Sequence, residues 1–327
     1  MKTLQKNTAI KYKLQGAEGN ATLGKYDFSH ALRRIVKDRW LYLMLLPGLA
    51  FYIIFRFGPV FGLSIVFYDY LPPLGIAGSE FVGFGNILRL FRDPDFPRLF
   101  ANTLTLAILN ITLYFPIPIV LSILLNEVYN TTYKRFIQSF VYLPHFLSWT
   151  VLVGIFYIFL SPKGIINELF TTMGLANINF LAEPSWFRPL VIIEIIWKEA
   201  GWGTIIYLAA LAGVDEQLYE AAVIDGANRF QRIWHITLPS IRSTILILFI
   251  LRLGSFMDTG FEQIYLMMNS MNRKVADVFD TYVYIEGILN GSFSYSTAVG
   301  LFKSLVSLAL VLGANKLSKM IGEDGVY

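Results

Sequence analysis

Apolar residues along this chain come in long unbroken blocks parted by short polar stretches. They show neither the alternation of a half-buried strand nor the narrow stripe of a soluble amphipathic helix. Two blocks without a single Asp, Glu, Lys or Arg, residues 99–126 and 136–162, exceed the roughly 20 residues needed to cross a ~30 Å hydrocarbon core. At ~1.5 Å per residue each reaches roughly 40 Å and can cross with tilt. Residues 40–55 continue past Arg56 to Tyr68 as a further span, with a kink expected near Pro47 or at Gly58-Pro59, because proline removes a helix donor. Residues 189–211 are apolar except for Glu194, Lys198 and Glu199. Arg252 alone interrupts 243–257, and Lys303 alone interrupts 287–315. The pattern predicts an all-α integral membrane protein with six transmembrane helices within residues 40–320. Residues 1–39 are expected as a basic cytoplasmic tail, with an interfacial helix over 26–39, and 321–327 as a short C-terminal tail. The N-terminal stretch has no short apolar core and no small-residue cleavage site, so it does not read as a signal peptide.

Composition sharpens this picture. Only 15% of the residues are charged, where a soluble domain carries roughly 25%, which argues against both a water-soluble enzyme and a disordered chain. The absence of cysteine excludes a disulfide framework, a thiolate metal site and a cysteine nucleophile. A net charge of +4 is too small to suggest nucleic acid as a partner. The positions of the basic residues say more. With the N-terminus inside, cytoplasmic segments hold nine before Trp40, then Lys134, Arg135, Arg229, Arg232, Arg242, Lys316 and Lys319. The opposite loops hold only Arg89, Arg92, Arg98, Lys163, Arg188, Arg273 and Lys274. The positive-inside rule then puts both termini in the cytoplasm.

The usual marks of chemistry are missing. There is no phosphate-cradling G-x-x-x-x-G-K-[ST] loop and no G-x-S-x-G elbow. The segment Val82-Gly83-Phe84-Gly85-Asn86 lacks a third glycine. His30, His145 and His235 are far apart and have no metal-ligand spacing, so no catalytic residue, metal or bound cofactor is expected. The six charges within spans remain, and charge in hydrocarbon is a functional signal. Glu194 and Lys198, at i,i+4 with the acid first, suit mutual neutralisation. Arg252 suits either a bidentate grip on a carboxylate in a water-filled cavity or an ion pair with Glu194 or Glu199. Lys303 is expected to snorkel towards an end of its span. Trp197, Trp202, Tyr207 and Tyr265 suit either stacking on sugar rings or ordinary packing and interfacial roles. A membrane-embedded glycosyl transferase using Glu194 and Glu199, and an ion-coupled carrier protonating them, are alternatives. The first lacks a metal or phosphate site, the second an inverted repeat.

The cytoplasmic loop 212–242 is too structured for a connector. Over 218–230 it carries a short helix with a small-residue face, which Gly226 can end because glycine takes the left-handed cap at no steric cost. A second short stretch, 232–237, runs into Leu238-Pro239. Such a helix can dock in a partner's groove or lie on lipid headgroups. Glu220-Ala221-Ala222, then Gly226, then Ile236 and Leu238-Pro239, resembles the E-A-A–x3–G–x9–I-x-L-P signature, with every fixed position at its expected spacing. That signature belongs to the permease subunits of binding-protein-dependent ATP-binding cassette (ABC) importers. Phe81–Asn86 with Asp93-Pro94-Asp95-Phe96, Tyr142–His145, Gly201–Leu211, Phe261–Tyr265, Asp280–Tyr284 and Ala298–Phe302 look like those of permeases for oligosaccharides from complex, often acidic polysaccharides, such as aldouronates, rhamnogalacturonan fragments and alginate. Glu199-Ala200 departs from the small uncharged residues usual before Gly201.

The resemblance, over roughly residues 40–320, implies a type I ABC importer permease fold in a bacterial cytoplasmic membrane. The loop helix would be the coupling helix. Glu220 would anchor its start, Ala221 and Ala222 allow close approach, Asp225 and Gly226 set its end, and Ile236, Leu238 and Pro239 guide the chain into the next span. Implied partners are a second homologous permease subunit, two ATPase subunits carrying ATP and magnesium, an external substrate-binding protein and the oligosaccharide. Substrate-pathway candidates are Arg252, Lys198, Glu194, Glu199, Trp197, Trp202, Tyr207 and Tyr265.

Overall fold

The computed structural model describes residues 37–320. Residues 1–36 of the expected N-terminal tail, and with them all but the last three positions of the expected interfacial helix, lie outside the described residues, as does the expected C-terminal tail. The described chain forms two compact units that divide after Leu63.

In the first unit, α1 (Arg39–Tyr52) carries Pro47 within it and passes into a wider turn over Ile53–Phe57, where Gly58 N–H bonds back to the Ile53 carbonyl. Pro59 cannot donate to the preceding turn, and the helix accommodates this by widening just ahead of it. The expected kink is therefore a π-turn beside Gly58-Pro59. Its apolar side chains are exposed, Met44 and Phe61 most of all, as suits a helix solvated by lipid.

The second unit begins with a two-stranded antiparallel ribbon, β1 (Tyr68–Asp69) and β2 (Glu80–Phe81), with Tyr68 opposite Phe81. Asn86 Nδ2 ties it to α2 (Gly85–Arg92) by donating to the Val66 and Tyr68 carbonyls at 2.9 and 3.0 Å. The helix that follows runs from α3 (Phe96–Leu109) through a π-turn at Asn110–Tyr114 into α4 (Pro116–Asn126). Prolines again follow the π-turn.

The uninterrupted span expected over 136–162 is broken. α5 (Thr131–Tyr142) stops at a tight turn, Leu143–Phe146, and α6 (Trp149–Leu160) starts afresh with Ser148 capping the Val151 N–H. Pro144 is the physical reason, since it cannot extend the hydrogen-bond ladder of α5. α7 (Ile165–Thr172) leads to α8 (Pro184–Leu211), 28 residues long. Next come α9 (Glu216–Ile224), α10 (Arg229–Arg232) and α11 (Arg242–Gly254). The segment Arg229–Ser240 is bent by 61° against α11. Between α11 and the last helix lie α12 (Phe261–Met267) and α13 (Phe279–Tyr284). The last helix, α14 (Phe293–Met320), begins six residues after the expected boundary of 287, past the Gly291 turn.

Among the described residues, four helices are long and apolar enough to cross a membrane: Arg39–Phe67, Phe96–Asn126, Trp149–Thr172 and Phe293–Met320. The bent pair ending in α11 makes a fifth if counted as one span. α8 is long enough but carries Arg188, Glu194, Lys198 and Glu199.

α8 is the axis of the second unit, packing along α4 and α5. Two glycines permit this approach. A Cβ on Gly201 would run into the backbone carbonyl of Val141 on α5, and one on Gly203 would sit 2.9 Å from Pro118 Cγ on α4. Small residues at such contacts let helix backbones approach closely. One apolar core joins Leu106 of α3, Val153 of α6, Val191 of α8 and Ile264 of α12. A second joins Leu90, Leu99, Phe279, Tyr295 and Val299.

Candidate functional site

Two regions carry the residues singled out by sequence. The first is the loop after α8. Asp215 caps α9 by accepting the Gln217 N–H at 3.0 Å. At the other end, Asp225, Gly226 and Ala227 N–H donate back to the carbonyls of Ala221, Val223 and Ala222. Gly226 has φ +80°, the left-handed conformation that closes a helix, with no atom within 4 Å of where a Cβ would lie. This turn ends the helix at Ile224, just before Gly226, and the helix starts at Glu216, two residues ahead of 218. Asn228 and Gln231 then form a reciprocal capping box that restarts the chain as α10. Tyr219 Oη and Thr237 Oγ1, 3.0 Å apart, brace α9 against the π-turn Ile233–Thr237. No residue of α9 is buried: Glu220, Ala221 and Asp225 are exposed and Ala222 half-buried. Ala222, Asp225, Gly226, Arg232 and Ile236 line a hollow of about 380 Å³. Leu238 and Pro239 follow directly, before the bend into α11. The result is a short, pre-shaped ledge with small residues along it and Ile224 projecting at 86% exposure.

The second region surrounds the middle of α8. Lys198 Nζ donates to the carbonyls of His145 and Leu147 at 2.7 and 2.8 Å, at the break between α5 and α6. Its ammonium lies 3.5 Å from Glu199 Oε1 and 5.5 Å from the Trp149 ring centroid. Glu199 Oε2 meets His145 Nδ1 at 2.8 Å, and the imidazole stacks flat on Trp202 at 4.4 Å. Glu194 is fully buried and accepts from Gln263 Nε2 of α12 at 2.8 Å. Arg252 of α11 donates to Asn110 Oδ1 at 2.7 Å and lies 5.8 Å from the Tyr114 ring.

This arrangement corrects several expectations. Glu194 and Lys198 do not neutralise each other: Lys198 is drawn to the carbonyls left open at the break between α5 and α6 and to Glu199. Arg252 pairs with neither Glu194 nor Glu199, each of which has another partner. Lys303 does not snorkel. It is buried, 3.1 Å from Asp258 Oδ1 and in contact with Asp280, which also accepts from Thr259. Glu194 and Tyr207 are buried and offer no surface to a ligand in this conformation, and Lys198 is nearly so. Trp197, Trp202 and Tyr265 are partly exposed, the last within a cluster with Phe261 and Tyr284. Sequence reasoning had set aside His145 as a metal ligand and missed its role beside Glu199. The unusual acid before Gly201 was the available signal.

A third polar cluster, also unforeseen, centres on Asp93, which lies outside the candidate spans. Asp93 Oδ2 accepts from Tyr282 and Tyr295 hydroxyls at 2.7 and 2.5 Å, and its Oδ1 accepts the Asp95 N–H. Burial works to raise the Asp93 pKa. The bonds from Tyr295, Tyr282 and Asp95, with the nearby charge of Arg89, outweigh it and hold the carboxyl below its usual range.

Residues 114–321 match the family described as "Binding-protein-dependent transport system inner membrane component". The chain is 54% identical over 292 residues to Protein LplB of Bacillus subtilis, covering 89% of this chain and 92% of that one. It is 51% identical over 297 residues to the polygalacturonan/rhamnogalacturonan transport system permease protein YteP of the same organism, covering 90% and 92%. Among solved structures, a chain of a bacterial alginate ABC transporter, in complex with a periplasmic protein bound to alginate pentasaccharide, superposes with a TM-score of 0.83 at 41% identity. That match covers 90% of this chain and 99% of the other.

Proposed function

Because the chain belongs to the family of inner membrane components of binding-protein-dependent transport systems, we propose that it is the permease subunit of an ABC importer for oligosaccharides, with acidic, uronate-containing chains such as alginate oligosaccharides as its cargo. It is a transport subunit and not an enzyme. The observation that carries the reading is the ledge at 215–237, an exposed, doubly capped helix turned by a left-handed glycine. An exposed small-residue helix held in one shape suits insertion into a cleft of a partner.

In this reading the six crossings are Arg39–Phe67, Phe96–Asn126, α5 with α6 in series, α8, the bent segment ending in α11, and α14. Both termini and the 215–237 ledge face the cytoplasm. Two ATPase subunits hold ATP and magnesium, a second permease subunit completes the pathway, and a substrate-binding protein delivers cargo from outside. Glu220, Ala221, Ala222, Asp225 and Gly226 make the contact with the ATPase. Its closure moves α9, and Ile236, Leu238 and Pro239 pass that motion to α11 as a rigid-body switch. Along the pathway, Trp202 and Trp197 offer partly exposed ring faces for sugar C–H surfaces. Arg252 offers guanidinium donors beyond the one given to Asn110, suited to a uronate carboxylate.

The test is uptake into proteoliposomes containing the assembled importer. Uptake of an oligouronide should require ATP and the binding protein and survive an uncoupler. Uptake that collapses with the ion gradient would refute the assignment. Within that assay, Arg252→Gln should reduce uptake of charged oligosaccharides about tenfold more than that of neutral ones, as expected for loss of a charge-assisted pair. Equal loss for both would remove the carboxylate role.

A further inference from the structure

Glu194 lies fully buried within α8, and its Oε1 has no hydrogen-bond partner. Gln263 on α12 is equally buried, and its Oε1 is also without a partner. The Gln263 amide nitrogen spends both donors, one on the Val191 carbonyl at 3.0 Å and one on Glu194 Oε2 at 2.8 Å. Turning the amide over would set its oxygen against two other acceptors, so the orientation is fixed by its neighbours.

An ionised Glu194 here would be a buried charge with one neutral donor, an arrangement strongly disfavoured without a cation. The cations and titratable groups on the elements packed around α8 are committed elsewhere. Lys198, one turn on, serves the His145 and Leu147 carbonyls and Glu199. His145 faces Glu199, Arg252 faces Asn110, and Arg273 pairs with Asp277. Lys134 and Arg135 sit in the first turn of α5, whereas α8 meets α5 at Val141 and Tyr142 in its last turn. Among the described residues, no basic group lies within ion-pair distance of Glu194.

We infer that Glu194 is held as the un-ionised acid and forms a two-bond pair with Gln263, its O–H donating to the amide oxygen and its carbonyl accepting from the amide nitrogen. One proton satisfies both unpartnered oxygens at once. Glu194 is thereby a positioning residue: it fixes α12, which belongs to the segment between α11 and α14, against the helix that leads directly into the 215–237 ledge. It is removed from the set of substrate contacts.

The experiment is infrared spectroscopy on the purified, assembled transporter. The wild type should show the carbonyl stretch of an un-ionised carboxylic acid that disappears in Glu194→Gln. Because glutamine offers the same donor and acceptor, Glu194→Gln should keep transport within about twofold, whereas Glu194→Ala, which strands the amide oxygen of Gln263 and one of its two N–H donors, should lose about tenfold or more. Since Glu194→Ala can also fail to fold, the exchanged pair Glu194→Gln with Gln263→Glu supplies a second reading: it should restore the acid band, with transport between the two single variants because the Val191 carbonyl then lacks its donor. Absence of that band from the wild type, or Glu194→Gln losing as much transport as Glu194→Ala, would overturn the inference.

Discussion

Gly201 and Gly226 lie on one continuous stretch of chain, and each is required for a different physical reason. At Gly226 the constraint is conformational. Its φ of +80° suits only a residue without a Cβ penalty, and the space around it is empty. At Gly201 the constraint is room, because a side chain would meet the backbone of α5. The ledge after α8 thus takes its shape from backbone capping and keeps its surface free. The middle of α8 takes its shape from close approach and from polar side chains that satisfy one another. In the proposed reading the first meets a partner, whereas the second holds neighbouring helices together.

Substitutions break this contrast in a definite order. Gly201→Val should have the largest effect on the fold: with backbone rather than a side-chain tip in the way, the α5–α8 contact must open, at a cost of about 3 kcal/mol or more. Thermal unfolding of the purified complex should report a large fall in Tm; an unchanged Tm would mean that α8 can shift without loss. Lys198→Met comes next. It leaves the His145 and Leu147 carbonyls without their donor in the bundle, at about 1–3 kcal/mol. The same scan should show a fall smaller than that of Gly201→Val. Gly226→Val forces a β-branched residue into the left-handed region, costing about 1–3 kcal/mol of local strain. Because α9 is exposed, that strain should fray the ledge, leave the Tm of the bundle almost unchanged and reduce transport sharply. A fall in Tm as large as that of Gly201→Val would erase the distinction between the two regions.

The smallest effect concerns pH. The Asp93 carboxyl is held below its unfolded value, so the stability it contributes is present above about pH 4 and disappears as pH falls through the depressed folded pKa. Asp93→Asn should flatten the acid limb of a Tm-against-pH curve and leave the neutral region little changed. An unaltered acid limb would show that the two tyrosine hydroxyls do not favour the ionised form.

The same two regions differ in how much of them could be read from sequence. The ledge was legible because its devices are local: a helix-ending glycine, small residues at fixed spacing, a proline before the next helix. The mostly helical character was legible from the length of the apolar blocks. The break at Pro144 lay behind the uniformly apolar composition of its block, although the proline itself was the available signal. The partners of the buried charges were hidden as well. Spacing along α8 pointed Glu194 to Lys198, but the groups that decided the outcome, His145, Gln263 and Asn110, come from distant segments. Lys303 followed the same course: an end-of-span position suggested snorkelling, and two aspartates from the α11–α14 segment hold it instead.

The most direct measurement is stimulation of ATP hydrolysis by the loaded binding protein, compared between the assembled wild-type importer and Gly226→Val. The ledge account predicts that Gly226→Val keeps a folded transmembrane bundle and loses the stimulation along with transport. Full stimulation and full transport in a complex carrying Gly226→Val would contradict it.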